Sequence, residues 1–158
     1  MDGLDELTVL EWRDYMVAVS TLANKIIEGG DRHCPIVAVG RGGLVPAVIL
    51  SHRLAGQRIY QIDAQAYYDG DYTGVTLALP VRLPTDATRV LLVDDLIHTG
   101  ATFDAIVRHV RDFLDSDMTI LLATVLVRPE APYTPAYYGR ILSGDPGWIV
   151  FPYEVHSV

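Results

Sequence analysis

Residues 90–103, V-L-L-V-D-D-L-I-H-T-G-A-T-F, decide the fold class of this 158-residue chain. Four apolar residues at 90–93 predict a buried strand, and two adjacent carboxylates, Asp94 and Asp95, follow it directly. The turn T-G-A-T at 99–102 then leads into a segment whose apolar residues have helical spacing. Because neighbouring like charges repel each other, the pattern indicates a ligand at the strand end that is positive or rich in hydroxyl groups.

Strands and helices alternate along the rest of the chain. The first helix is predicted to begin at a capping box formed by Thr8 and Glu11, and its buried face is predicted to comprise Trp12, Met16, Val19, Leu22, Ala23 and Ile26. A second helix is predicted over 44–54, a loop over 69–74, and strands over 34–40, 58–68, 75–82 and 119–128. This order predicts a single α/β domain over 1–158, with a central, mostly parallel sheet flanked by helices.

In sheets of this kind, ligands bind at the carboxyl ends of the strands. The turn G-R-G-G at 40–43 and the turn at 99–102 are both predicted to lie at that edge. The backbone N–H groups and helix dipole at 99–102 are predicted to form an anion site, with two threonine hydroxyls as further donors. Asp94 and Asp95 only accept hydrogen bonds, so they suit sugar hydroxyls or a hydrated Mg²⁺. Together these groups predict a site for a sugar phosphate.

The composition argues against several classes of function. A net charge of −8 disfavours a broad footprint on DNA or RNA, and no apolar run reaches the ~18 residues that a membrane span needs. The acidic start M-D-G-L-D-E-L is unlike a signal or transit peptide, and the single cysteine, Cys34, is predicted to be a buried structural thiol in a cytoplasmic protein. Because Lys25 is the only lysine, a bound anion must be held mainly by arginines and backbone amides.

Two other families share parts of this pattern. Receiver domains also place adjacent aspartates after an apolar strand, but they need a later aspartate and a lysine beyond it, whereas Lys25 lies far upstream. The turn G-R-G-G-L-V after a strand hints at a dinucleotide fingerprint, but Val45 occupies the position of the third glycine in G-x-G-x-x-G. Both signals are therefore weak.

Residues 90–103 resemble the phosphoribosyl diphosphate (PRPP) binding motif of type I phosphoribosyltransferases. I-V-A-V-G-R-G-G-L-V-P-A is similar to the diphosphate loop of the bacterial xanthine-guanine enzymes, L-V-R-P to a strand with a basic residue facing the base, and W-I-V-F-P-Y-E to a hood that stacks on the purine. The resemblance covers about residues 10–154. It implies a type I fold with a small base-binding hood at about 129–158, and an enzyme that joins PRPP to a 6-oxopurine with release of diphosphate.

The resemblance also implies roles in PRPP binding. Asp94 and Asp95 would bind the ribose hydroxyls and reach Mg²⁺, in part through water, with Glu154 as a further candidate metal ligand. The diphosphate would be held by Gly40, Arg41 and Gly42, with the arginine supplying the charge. A cis peptide between the first two of these, or a cis–trans exchange on ligand binding, is predicted. The 5′-phosphate would be cradled by His98, Thr99, Gly100, Ala101 and Thr102.

On the base side, the resemblance implies a stacking role for Trp148 and main-chain contacts from Ile149, while Arg128 would donate to the keto oxygen at position 6. His98 stands where 6-oxopurine enzymes usually carry an aspartate that contacts N7, and a neutral imidazole could also accept that proton. Arg128 replaces the usual lysine, and Ala66-Tyr67 replaces a Ser-Tyr pair in the mobile loop.

The partners implied are PRPP, a purine base and further copies of the chain in a dimer or tetramer, with no nucleic acid or membrane. Two alternatives stay open at this point. The same fold can act on another base, or it can serve a PRPP- or nucleotide-sensing regulator without turnover. RNA-binding regulators of this fold need a basic face, against which the net charge of −8 argues.

Overall fold

The structure is a computed structural model that describes residues 7–69, 72–78, 86–97, 103–104, 106–108, 111, 117–131, 134–144 and 147–154. For residues 63–69 and 72–78 it describes the backbone alone. Within these ranges, the helices are too short or too polar to cross a membrane.

The described residues form two sheets, with helices packed on the larger one. Its elements are β1 (Leu7–Val9), α1 (Trp12–Glu28), β2 (Ile36–Val39), α2 (Leu44–Arg53), β3 (Ile59–Asp69), β4 (Tyr72–Ala78), β5 (Arg89–Ile97), β6 (Thr119–Val127), β7 (Tyr137–Ile141) and β8 (Trp148–Val150). The larger sheet has the order β4-β3-β2-β5-β6-β7 and is parallel except for the β3–β4 pair. Strands β1 and β8 form a separate parallel pair. The predicted α/β fold with a mostly parallel central sheet is confirmed.

Alternate residues of the central strands face two different cores. In β5, Leu91 and Val93 pack with α1 and α2, whereas Val90 and Leu92 pack on the other face with Phe103 and its helical neighbours. Strands covered on both faces become nearly continuous apolar runs, which is why this segment shows no polar alternation. Together with its registers against β2 and β6, this burial fixes where β5 lies along its neighbours. The position of the residues that follow is fixed with it.

Helix α1 differs from its prediction in where it begins and which face it buries. The helix begins after Glu11, whose side chain makes no capping hydrogen bond, while Thr8 lies in β1 opposite Ile149. The predicted capping box is therefore wrong, because strand pairing uses its first residue. Trp12 and Met16 are exposed, and the buried face instead comprises Tyr15, Ala18, Val19, Leu22, Ala23 and Ile26.

The boundaries of β3 and β4 also differ from their predictions. Residues 69 and 72–74 belong to these strands although a loop was predicted over 69–74, because Asp69 pairs with Tyr72 and antiparallel pairing continues from there to Asp63 and Ala78. Strands β1, β7 and β8 were not predicted. Two of them have only three residues each, and β7 lies within the segment predicted to be the hood while it pairs with the central sheet.

The turn after α2 contains a strained alanine. Ala55 has a φ of 65°, in the left-handed region that costs a non-glycine residue roughly 1 kcal/mol or more. Ala55→Gly is therefore expected to raise the Tm by about 2–4 °C, measured by thermal unfolding. The same exchange inside α2, Ala47→Gly, should lower the Tm, since it removes a buried methyl group from a helix. A lower Tm for Ala55→Gly would contradict the assignment of strain.

Candidate active site

A glycine-rich turn brings the end of β2 against β5. Gly40 has a φ of 54° and donates its N–H to the Ile62 carbonyl at 2.7 Å. A Cβ built on Gly43 would lie 2.3 Å from the Val93 carbonyl oxygen, so only glycine fits there. Arg41 is exposed at the top of this turn. The peptide between Gly40 and Arg41 is trans, so the predicted cis bond is wrong for this structure, and the exchange on ligand binding stays a prediction.

The acidic pair lies inside β5, which was predicted to end before it. Strand β2 pairs with β5 only as far as Val93, whereas β6 continues to pair with β5 through Ile97. Asp94 and Asp95 therefore lie where β5 has a neighbouring strand on one side and the turn at 40–43 on the other. The strand continues because β6 supplies its hydrogen bonds.

Two groups hold the Asp95 carboxylate in place. A Cβ built on Gly42 would lie 2.3 Å from its Oδ2, so the backbone of the turn stands directly against it. The Tyr153 hydroxyl donates to the same oxygen at 2.5 Å. The Asp95 N–H in turn donates to Oδ1 of Asp94 at 2.9 Å. Sequence reasoning missed Tyr153, because an aromatic residue in the motif W-I-V-F-P-Y-E carries no local sign of a partner 58 residues away.

Burial makes ionisation of the acidic pair costly. It raises the pKa of Asp94 well above its ordinary value, and the charge of Asp95 raises it further. Burial also raises the pKa of Asp95, with opposition from the Tyr153 hydrogen bond and reinforcement from the Glu154 charge. Tyr15 lies close by, fully buried, and among the described residues its hydroxyl has no hydrogen-bond partner. The pair thus consists of two neighbouring acids in a part-buried place where negative charge is costly.

On the other side of the site, Arg128 is joined to the segment that precedes Trp148. Its backbone N–H donates to the Ile97 carbonyl at 3.0 Å, which places it beside the end of β5. Its guanidinium donates through Nη2 to the Gly147 carbonyl, and its Nη1 lies 3.5 Å from the Glu130 carboxylate. The Arg128 side chain is buried, while Trp148 is 61% exposed. A fixed cationic donor and an open aromatic face therefore lie near the same strand end.

The remaining predicted residues divide into two groups. Ile149 is buried, with its backbone in the β1–β8 pair, and Glu154 is exposed and accepts the Phe151 N–H at 2.9 Å. The predicted 5′-phosphate cradle lies outside the described residues: His98, Thr99, Gly100, Ala101 and Thr102. Ile97 and Phe103 on either side of it are buried.

Comparisons with known proteins agree with this geometry. The family described as "Phosphoribosyl transferase domain" matches residues 7–157. The chain belongs to the phosphoribosyltransferase family. This phosphoribosyltransferase is 30% identical over 151 residues to the xanthine-guanine phosphoribosyltransferase of Idiomarina loihiensis, covering 93% of the chain and 86% of the relative. The corresponding enzyme of Gluconobacter oxydans is 29% identical over 148 residues, with coverage of 90% and 79%.

A solved structure shows the same likeness. The purine phosphoribosyltransferase from Pyrococcus horikoshii matches with a TM-score of 0.79 at 31% identity, covering 97% of each chain. The resemblance drawn from the sequence motifs is confirmed, and this phosphoribosyltransferase is a transferase enzyme.

Asp94→Asn is expected to raise the Tm at pH 7 by a few degrees. Because the folded pKa of Asp94 lies above its ordinary value of 3.8, the unfolded chain releases this proton first. The fold therefore loses stability as the pH rises above about 4, and the uncharged amide escapes that loss. Thermal unfolding of the parent and the variant between pH 4 and pH 8 measures this loss of stability. The exposed Asp86→Asn is the control for the loss of one carboxylate and should leave the Tm at pH 7 nearly unchanged. A variant less stable than the parent at pH 7 would contradict the prediction.

Proposed function

We propose that this phosphoribosyltransferase transfers the ribose 5-phosphate group of PRPP to a 6-oxopurine, namely guanine, xanthine or hypoxanthine, and releases diphosphate. The observation that carries the proposal is the buried Arg128 guanidinium, bonded to the Gly147 carbonyl beside the exposed Trp148. The names of the relatives at about 30% identity support the same substrate class. In this assignment the enzyme takes part in purine salvage.

The described PRPP side consists of an arginine, backbone amides and two carboxylates. Arg41 and the turn around Gly42 would hold the diphosphate, because a guanidinium and backbone N–H groups are donors without acceptors. The acidic pair would accept hydrogen bonds from the ribose hydroxyls. The Gly42 backbone lies directly against the Asp95 carboxylate. The diphosphate and the ribose hydroxyls of PRPP would therefore be bound by neighbouring groups.

The donor set of the acidic pair suits Mg²⁺. In the described part of the chain, no arginine or lysine forms an ion pair with Asp94 or Asp95, although both carboxylates are part-buried. The same residues include no cluster of three metal-ligating side chains. Mg²⁺ is commonly held by one or two carboxylates together with waters and substrate oxygens, so Asp94 and Asp95 would hold it. When bound, it would supply positive charge that offsets the diphosphate.

Base choice follows from the chemistry of Arg128. A guanidinium only donates hydrogen bonds, so a keto oxygen at position 6 pairs with it, whereas the amino group of adenine places a donor against a donor. Burial strengthens this choice, because an unpaired polar group in a desolvated site costs ~1–3 kcal/mol or more. Trp148 would offer a stacking face to any purine and so contributes affinity rather than choice.

Catalysis in this proposal consists mainly of positioning and electrostatics. As the bond from ribose C1 to diphosphate breaks, positive charge develops on the sugar and negative charge on the leaving group. Arg41 would stabilise the departing anion, and Trp148 would hold the base in line with the ribose carbon. The acidic pair, bound to the ribose hydroxyls, would lie near the positive charge that develops on the sugar and would stabilise it electrostatically.

The first test of this proposal is the choice of base. We expect kcat/KM for guanine, hypoxanthine or xanthine to exceed that for adenine and orotate by a large factor, up to about 10⁴. Arg128→Ala should erode this ranking more than it weakens PRPP binding, whereas Arg140→Ala on β7, which is exposed, should leave the ranking intact. Steady-state kinetics over the five bases is the measurement. Adenine or orotate as the best substrate would show that the role of Arg128 is wrong, and PRPP binding without turnover of any base would indicate a regulator.

The second test concerns the acidic pair. The double variant Asp94→Asn/Asp95→Asn should lose at least about tenfold in affinity for PRPP in the presence of Mg²⁺, since hydrogen bonds to charged groups contribute roughly 1.5–3 kcal/mol each. Titration calorimetry measures the affinity, and circular dichroism checks the fold. The exposed pair Asp14→Asn/Asp86→Asn is the control for the loss of two charges. Unchanged PRPP affinity in the first double variant would refute this site.

A further inference from the structure

Tyr153 makes a hydrogen bond that no sequence motif indicates. Its hydroxyl donates to Oδ2 of Asp95 at 2.5 Å, on the carboxylate that also stands against the Gly42 backbone. The Tyr153 ring stacks on Phe151 with a centroid distance of 5.3 Å and meets the edge of Tyr15 at 5.7 Å. The ring is therefore held by packing independently of its hydroxyl.

The backbone around Tyr153 is also closed. The Glu154 N–H donates to the Phe151 carbonyl at 3.0 Å, and the Glu154 carboxylate accepts the Phe151 N–H at 2.9 Å. This turn follows directly on β8, whose pairing with β1 orders the preceding residues. A hydroxyl carried on a closed turn and a packed ring has little freedom, so it can orient the group it contacts.

We propose that Tyr153 is a positioning residue that holds the Asp95 carboxylate in the orientation that binds the sugar hydroxyls of PRPP. With Oδ2 bonded to Tyr153 and pressed against Gly42, rotation of the carboxylate is restricted, and its remaining acceptor capacity is directed to the ligand. The inference rests on the proposed function, because it assigns Tyr153 to the site where PRPP would bind.

A second tyrosine–aspartate pair shows what a purely structural bond of this kind looks like. At the opposite edge of the sheet, the Tyr137 hydroxyl donates to Oδ2 of Asp31, also at 2.5 Å. Asp31 has a cationic partner, Arg89, at 2.6 Å, and also accepts from the thiol of Cys34 at 3.5 Å. Its charge is thus compensated within the protein. Asp95 has no such partner among the described residues, and its compensation is left to a ligand.

The two tyrosines permit a matched experiment. Each is changed to phenylalanine, which keeps the ring and removes one hydrogen bond of equal length to a carboxylate. We expect Tyr153→Phe to raise the Kd for PRPP, and the KM for PRPP, by about tenfold, because a charge-assisted hydrogen bond no longer orients Asp95. The KM for the base should stay within about twofold, since the packed ring still supports the segment after β8. Tyr137→Phe should lower the Tm and leave the Kd and the KM for PRPP unchanged.

A double-mutant cycle tests the route through Asp95. In an Asp95→Asn background, Tyr153→Phe should change PRPP affinity by less than about twofold, since the carboxylate it orients is already gone. Equal behaviour of Tyr153→Phe and Tyr137→Phe, or full additivity with Asp95→Asn, would overturn the inference. Calorimetry of PRPP binding tests the role of Tyr153 even when no base is turned over. The absence of turnover would count only against the proposed base chemistry. A parent protein that does not bind PRPP would overturn both.

Discussion

The close approach of the turn at 40–43 to the end of β5 is the constraint on which the site depends. Gly43 has no room for a side chain beside the Val93 carbonyl, and Gly42 has none beside the Asp95 carboxylate. A methyl group on Gly43 would overlap backbone atoms of Val93 and Val39, so the turn would have to move away from β5. Van der Waals exclusion at this glycine thus holds the turn against the strand that carries the acidic pair.

The order of strands in the sheet creates the place that this turn occupies. Strands β2 and β5 are neighbours in space although β3 and β4 lie between them in the chain. Strand β2 stops while β5 continues along β6, so the sheet edge has a step, and the two aspartates lie on it. The same step buries two like charges, which raises the pKa of both carboxyls. In the proposed function, Mg²⁺ and the ribose hydroxyls of PRPP would offset this electrostatic cost.

Much of the architecture was predictable because burial leaves a pattern in the sequence. The runs in β2, β5 and β6 and the spacing in α1 and α2 predicted those elements. The errors occur where tertiary contacts override local pattern. Thr8 was predicted to cap α1, but it pairs with Ile149 of β8. Trp12 and Met16 belong to the exposed side of a helix whose Tyr15 faces inward. Tyr153 and Asp95 meet only in the folded chain, so no local signal could join them.

The acidic side chains at the two ends of the parallel strands differ in whether a cationic side chain neutralises them. At the amino edge, Asp31 is neutralised by Arg89, and the neighbouring Cys34 thiol has its pKa raised to about 11 by burial and by that aspartate, which keeps the thiol protonated and unreactive. At the carboxyl edge, Asp94 and Asp95 have no ion-pair partner among the described residues, and burial raises the pKa of both carboxyls. The same kind of side chain is therefore stabilised by a cation at one edge of the sheet and costs the fold stability at the other, where the proposed ligand would bind.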